Sequence, residues 1–266
     1  MRFALSGFLF EDKYDAQSVT FTEFCRLAKD AGYDSVDLRK TQLSPDSGAA
    51  ERREVRGILD DFGLDVAMLT ARGLADSGPE RDDLFRRYLD LCAEYQCPLL
   101  KVVSDPDWMR EAVDRADKAG VTLAANNHIN SPLDTVERTR EYFASVGQES
   151  LGLLYDAQHL HVTGSDCIAA IHEFFPHIRA VLSHSVRSSP HPGAPQQPRF
   201  TYADTPWYLA PPEAGGQDWR SIFITLKDTG YNELFIVFEN GWPERDRERI
   251  ARSRIRYFRE LWEEIT

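Results

Sequence analysis

The chain lacks several features that would assign it to a special class of protein. Its four cysteines are scattered, and no two have the CxxC spacing of a metal or redox motif, so we expect reduced thiols. No apolar run approaches the roughly 18 residues of a membrane span, and the first residues have neither a basic start nor a cleavage site. We therefore expect a cytoplasmic protein with no membrane partner.

Basic residues are also in the minority. The chain has 31 Lys and Arg residues against 43 Asp and Glu residues, which gives a formal net charge of −12 at pH 7. Proteins that bind nucleic acid usually carry a basic patch or stripe that neutralises phosphate groups. We therefore expect no nucleic-acid partner.

Strand-like runs alternate with helical patterns from one end of the chain to the other. The predicted strands cover residues 3–8, 35–38, 66–70, 99–103, 121–126, 151–155, 178–183 and 234–238. Short connections with right-handed crossovers require parallel strands, and eight such units close into a barrel. A doubly wound open sheet is disfavoured because no GxGxxG turn follows the first strand. The sequence predicts a single-domain α/β protein, a (β/α)8 TIM barrel over residues 1–266.

Several helix starts have clear signals. Thr20 and Glu23 form a capping box at the first helix, which Gly32 ends. Ser77 and Ser131 are predicted to begin the third and fifth helices, each with a proline in the first turn. The sixth helix is predicted over about 165–175.

One long loop, about 187–217, interrupts the alternation of strands and helices after the seventh strand. It is rich in Pro, Gly, Gln and Ser, and it contains aromatic residues such as Trp207. Loops of this length in a compact domain are usually functional or disordered, and the aromatic residues argue against disorder. We expect a lid over the top of the barrel or a contact between the subunits of a homo-oligomer.

Polar side chains close four successive strand-like runs, VTLAANN, LGLLYD, IRAVLSH and LFIVFE. These side chains are Asn126, Asp156, His184 and Glu239. Because active sites of such barrels lie at the C-terminal ends of the strands, we expect the four to converge and bind a divalent cation. Alternative roles are a helix N-cap for Asp156, a buried, hydrogen-bonded ring for His184 and a salt bridge to an arginine for Glu239.

Further residues near predicted strand ends are candidates for binding a substrate. Arg39, Lys101 and Arg187 carry the charge that a carboxylate or phosphate group requires, or they are solvated cations. His128 lies just beyond the fifth strand, and Trp207 is a candidate wall for a sugar-like ligand. Residues in a strand point alternately to opposite faces, so Asn127 is expected to point away if Asn126 points inward.

The chain resembles the xylose isomerase-like TIM barrels, which include sugar and sugar-phosphate isomerases, epimerases and dehydratases. The resemblance rests on the runs FTEFCRLAKDAGYDSVDLR, VTLAANNH, YDAQHL and DWRSIFITLKDTGYNELFIVFE, and it spans essentially the whole chain. It implies that Asp156, His184 and Glu239 bind Mn, Mg, Co or Zn. It also implies that Glu239 transfers protons and that His159 contacts the substrate, a small sugar-like carbonyl compound.

Asn126 departs from this family, which has a glutamate at that position. An amide oxygen can bind a cation, but it brings no charge and cannot act as a base. One interpretation is a weaker metal site with one-base chemistry, such as isomerisation, dehydration or aldol-type cleavage. The other is a homologue that has lost the metal and binds a sugar-like ligand. Cleavage of abasic DNA, known in related barrels, is disfavoured because the early strands have no histidine at their ends.

Overall fold

The computed structural model describes residues 1–12, 15–74 and 78–265. Eight parallel strands form a closed barrel in which each strand pairs with the next along the chain and the last pairs with the first. The predicted (β/α)8 barrel is confirmed. The barrel strands are β1 (Arg2–Ser6), β2 (Ser35–Leu38), β3 (Asp65–Thr70), β4 (Leu99–Lys101), β5 (Thr122–Asn126), β6 (Gly152–Asp156), β7 (Ile178–Ser183) and β8 (Leu234–Val237).

Helices surround the barrel. The capping box of Thr20 and Glu23 is present at the start of the first helix, and Gly32 ends that helix in the left-handed conformation. In the described part of the chain, no helix is both long and apolar enough to cross a membrane. The helices are α1 (Phe21–Ala31), α2 (Ala49–Phe62), α3 (Arg81–Glu94), α4 (Pro106–Lys118), α5 (Val136–Val146), α6 (Ala157–Thr163), α7 (Cys167–Phe174), α8 (Trp219–Asp228) and α9 (Glu244–Glu264).

The fifth helix starts later than its sequence signal indicates. It begins at Val136, because the Thr135 side chain accepts a hydrogen bond from the Arg138 backbone N–H and caps it there. The Ser131 hydroxyl instead donates to the carbonyl oxygen of His128 at 2.7 Å and closes a tight turn. The prediction that Ser131 begins this helix is therefore wrong.

One helix, α6, was not predicted at all. It follows β6 without a loop, and Asp156 caps it by accepting a hydrogen bond from the Gln158 backbone N–H at 3.0 Å. The helix predicted over about 165–175 corresponds to α7. The predicted cap at Ser77 lies outside the described residues, and α3 begins at Arg81.

Side chains alternate between the barrel interior and the layer of helices. On β8 and the residue that follows it, Leu234, Ile236 and Phe238 pack inside the barrel. Phe235 and Val237 pack outward against the helices. The same alternation holds round the barrel and decides which strand-end residues reach the interior.

The long loop after β7 contains a small antiparallel sheet. Phe200–Tyr202 and Thr205–Leu209 form a hairpin, and Val186–Arg187 pairs with the second of these strands. The two turn residues, Ala203 and Asp204, have φ angles of 45° and 63°. Positive φ at both positions is the geometry of a tight two-residue hairpin turn. The predicted loop is therefore an ordered element.

Candidate active site

A cavity of about 390 Å³ opens at the C-terminal end of the barrel. Its walls combine strand-end residues that face inward, residues of the following loops and three residues of the long loop. Active sites of TIM barrels lie at this end. The lining residues are Phe8, Arg39, Thr70, Lys101, Asn126, His128, Ile129, Asn130, Gln158, His159, His184, Arg199, Phe200, Leu209, Phe238 and Asn240.

Two histidines of the cavity wall share one buried carboxylate. The Oδ2 atom of Asp156 lies 3.1 Å from Nδ1 of His184 and 3.5 Å from Nε2 of His159. Asp156 is fully buried beneath the two rings, and its other oxygen caps α6. A ligand atom from each of the three residues lies within 4.8 Å of the other two. Among the described residues, this is the cluster that can hold a metal ion.

The cluster combines one negative charge with neutral imidazole. Burial favours the neutral form of Asp156, but His159 and His184 outweigh this effect and lower its pKa to about 2. Burial lowers the pKa of His159 to about 3, although the Asp156 carboxylate opposes the shift. Near pH 7 the carboxylate is therefore ionised and the His159 ring carries no charge, which are the forms that bind metals.

Asn126 faces the cavity, as its strand position predicts, but its side chain is already engaged. Its Oδ1 atom accepts a hydrogen bond of 2.8 Å from the Lys101 ammonium group. Its Nδ2 atom donates to the backbone carbonyl oxygens of Asn127 and Leu154 at 2.9 and 3.3 Å. The amide oxygen that was predicted to bind a metal thus binds Lys101 instead.

Glu239 does not belong to the cluster of Asp156, His159 and His184. Both of its carboxylate oxygens contact the Arg254 guanidinium group, and one also accepts a hydrogen bond from the Trp242 indole at 2.6 Å. The reason is alternation: Phe238 faces the barrel interior, so Glu239 turns toward α9. The structure therefore differs from the prediction that Glu239 is a metal ligand and base, and it matches the alternative of a salt bridge to an arginine.

His128 lies at the mouth of the cavity with its ring 3.9 Å from that of His159, measured between centroids. Its Nδ1 atom is 2.6 Å from the carbonyl oxygen of Ile129. A carbonyl oxygen only accepts hydrogen bonds, so Nδ1 carries the proton and Nε2 has a free electron pair. The ring is therefore held in the tautomer that can accept a proton.

Two predicted substrate-binding residues do not line the cavity. Arg187 pairs with Tyr208 in the small sheet of the long loop. The Trp207 ring packs against His161 at 5.4 Å between centroids. Both belong to the long loop, and neither is among the residues that line the cavity.

Other cavity residues were not identified from the sequence. Phe8 and Phe238 are inward strand-end residues, so alternation alone predicts them. Arg199 extends from the long loop and donates two hydrogen bonds to Oδ1 of Asn240, at 2.6 and 3.2 Å. No local pattern in the sequence indicates that contact.

The three-residue cluster has separations that suit one metal ion. Ligand atoms about 2.0–2.2 Å from a common ion lie roughly 3–3.5 Å apart, and the two distances from Asp156 Oδ2 fall in this range. Carboxylate oxygen and imidazole nitrogen suit several divalent cations. His159, predicted as a substrate contact, belongs to this cluster, whereas Glu239, predicted as a ligand, does not.

Comparison with known proteins places the chain among similar barrels. Inosose dehydratase of Geobacillus thermodenitrificans is 23% identical over 183 residues, which is 68% of this chain and 59% of that protein's length. The structure of the probable 3-DHS dehydratase AsbF from Bacillus anthracis superposes with a TM-score of 0.76 at 15% identity, covering 97% of this chain and 99% of that one. D-psicose 3-epimerase of Clostridium cellulolyticum H10 has a TM-score of 0.72 at 13% identity, covering 98% and 99%.

The family assignment rests on a match over most of the chain. The model of the family described as the xylose isomerase-like TIM barrel matches residues 25–261. That range includes β2 to β8 and the whole candidate metal cluster. The chain therefore belongs to the xylose isomerase-like TIM barrel family.

Proposed function

We propose that this protein is an isomerase or a related lyase that acts on a small polyhydroxylated carbonyl compound. The observation that carries the proposal is the cluster of Asp156, His159 and His184 at the wall of the barrel-end cavity. The relatives named above are two dehydratases and a 3-epimerase, whose names describe chemistry on such compounds. Isomerisation and dehydration of hydroxycarbonyl compounds both begin with removal of a proton next to the carbonyl group.

Asp156, His159 and His184 would hold a divalent cation, with Mn, Mg, Co and Zn as candidates. When bound, such an ion polarises carbonyl and hydroxyl oxygens and stabilises the enediolate that proton removal creates. Asn126 is uncharged and its oxygen accepts from Lys101, and the Glu239 carboxylate is paired with Arg254, so neither supplies charge to this cation. The protein's own contribution is one carboxylate and two imidazoles.

His128 is the proposed base. No carboxylate lines the described part of the cavity, whereas three histidines, His128, His159 and His184, do. The contact of His128 Nδ1 with the Ile129 carbonyl leaves Nε2 free to accept a proton. The ring lies beside the candidate metal cluster, with its centroid 3.9 Å from that of His159. A single base of this kind suits isomerisation or dehydration better than epimerisation, which needs a group on each face of the carbon.

The test is hydrogen exchange at the carbon next to the carbonyl group. The purified protein, supplied with Mn²⁺ or Zn²⁺, would be incubated in D₂O with an inosose, 3-DHS and D-psicose while NMR follows the C–H signals. We expect exchange or dehydration with one class of compound, and a loss of about 100-fold or more in His128→Gln. His172→Gln, which alters an exposed histidine of α7, is the control. Absence of exchange with every compound and metal would contradict the proposal.

The alternative is a metal-free homologue that binds a sugar-like ligand without turning it over. The Lys101 ammonium group beside Asn126 favours it, because a fixed positive charge there repels a cation. Under this alternative, metal analysis after dialysis against Mn²⁺ or Zn²⁺ finds no stoichiometric ion, and no compound in the panel exchanges.

A further inference from the structure

The cavity is cationic although the protein is strongly acidic. Arg39, Lys101 and Arg199, here called the cation triad, line its wall. No Asp or Glu lines the described part of the same cavity, and the whole chain has a net charge of −12. Lys101 ends β4, Arg39 directly follows β2 and Arg199 belongs to the long loop, so the three approach the cavity from different elements.

The triad has hydrogen-bonding capacity to spare. Arg39 pairs with Glu11 through Nε at 3.3 Å, and its two Nη groups have no hydrogen-bond partner among the described residues. Within the same described ranges, Lys101 and Arg199 form no ion pair, and each donates only to the amide oxygen of an asparagine. The neighbouring carboxylates Glu11, Asp37 and Asp156 are buried behind the wall.

A neutral donor adds to this surplus. The Oγ1 atom of Thr70 is buried without a hydrogen-bond partner in the described structure, although Thr70 lines the cavity. Buried polar groups are almost always paired, so such an atom indicates a missing partner. A hydroxyl can donate to an anion as readily as to water.

The charges of Arg39 and Lys101 lie close together at the cavity wall. Arg39 and Lys101 both contact the ring of Phe238, at 5.6 and 4.5 Å from its centroid. Burial and the Arg39 charge lower the pKa of Lys101 to about 8, although Asp37 and Asp156 oppose the shift. Glu11, Asp37 and Asp156 offset these charges from behind the wall, but they do not use the two Nη groups of Arg39, so an anion in the cavity can still bind there. The positive charges and unpaired donors at the cavity wall therefore favour the binding of an anion.

We infer that the cation triad binds a carboxylate or phosphate group of the substrate, which makes the substrate a sugar acid or a sugar phosphate and not a neutral sugar. The inference rests on the proposed function for the carbonyl chemistry at the other side of the cavity. Guanidinium groups bind both oxyanions through paired hydrogen bonds, and an ammonium group adds charge. The anion would anchor one end of the molecule while the histidine cluster faces its carbonyl end.

Calorimetric titration of the full chain with three matched compounds tests this site. D-ribose, D-ribonate and D-ribose 5-phosphate are of similar size and differ in carrying no acid group, a carboxylate or a phosphate. At constant ionic strength we expect an anionic compound to bind one per chain at least about tenfold more tightly than D-ribose. The tighter of the two anions identifies the acid group.

Two variants and a control localise the binding. Lys101→Met and Arg199→Gln should each weaken the binding of the preferred anion about tenfold or more, and by a larger factor than they weaken the binding of D-ribose. Arg245→Gln removes the same charge from an exposed position of α9 outside the cavity and should bind as the wild type does. Equal binding of the neutral and anionic compounds, or unchanged anion binding in both cavity variants, would overturn the inference.

The hydrogen-exchange assay separates this inference from the proposed function. Anion binding that depends on the triad, without exchange on any compound, contradicts the enzymatic proposal and leaves the anion site standing. Exchange on neutral sugars, without anion binding, supports the enzymatic proposal and rules out the anion site.

Discussion

The carboxylate of Glu239 forms an ion pair with the guanidinium group of Arg254, and both side chains are at most 4% exposed. The pair joins the end of β8 to the middle of α9. It neutralises a carboxylate that the family resemblance would assign to a metal. A residue that looks catalytic by its place in the sequence thus fastens a helix to the barrel.

Breaking this ion pair should destabilise the fold. Arg254→Met leaves the Glu239 carboxylate buried without a counterion, and such changes cost about 3–5 kcal/mol. Urea denaturation followed by circular dichroism measures the free energy of unfolding. The control is Arg252→Met, which removes an exposed pairing with Glu248 on the same helix and should cost less than about 1 kcal/mol. A similar decrease in the free energy of unfolding in the two variants would show that the buried pair stabilises the fold no more than the exposed pair does.

Metal binding should depend on Asp156 and not on Glu239. Asp156→Asn keeps the size of the side chain but removes the negative charge of the cluster, so the affinity for Mn²⁺ or Zn²⁺ should fall about 100-fold or more. Glu239→Gln should change the affinity by less than about threefold, because that residue is bound to Arg254. Calorimetry on folded protein provides the measurement. A large loss in Glu239→Gln would show that the carboxylate turns inward when metal binds.

Asn126→Glu should strengthen metal binding only when Lys101 is also replaced. A carboxylate at position 126 would meet the Lys101 ammonium group, since the two side chains are in contact at 2.8 Å. The single variant should therefore gain little, whereas Asn126→Glu with Lys101→Met should bind Mn²⁺ at least about tenfold more tightly than Lys101→Met alone. Equal gains with and without Lys101 would mean that the ammonium group does not reach the new carboxylate.

The charged form of Lys101 should lower the free energy of unfolding at neutral pH, and this effect should disappear at alkaline pH. Its folded-state pKa of about 8 lies below the usual 10.5, so folding disfavours the charged form. The wild type should therefore gain stability relative to Lys101→Met as the pH rises from about 8 to 10.5. The gain is at most about 3 kcal/mol, and contact with solvent in the cavity reduces it. Denaturation of both proteins at pH 7, 9 and 10.5 measures it, and a pH-independent difference would contradict the prediction.

Most of what could be predicted about the site follows from the alternation of side chains between the two faces of each strand. It assigns Asn126 to the interior and Asn127 to the outside, where the Asn127 side chain bonds the backbone of Asp156 at 2.8 and 2.9 Å. Applied to β8, the same rule selects Phe238 as the inward residue, so the different role of Glu239 was within reach of the sequence. The family resemblance instead predicted that Glu239 binds a metal, because a comparison of sequence positions does not consider which way a side chain points.

The sequence by itself determined the eight-unit barrel, its family and the strand ends at which the site lies, since periodicity and helix caps are local properties. Only the tertiary structure decided how the polar groups are paired. Arg254 reaches Glu239 from a helix 15 positions later, Lys101 meets Asn126 from the neighbouring strand, and Arg199 enters from the long loop. These contacts depend on where long side chains end once helices and loops have docked, and no local pattern encodes that.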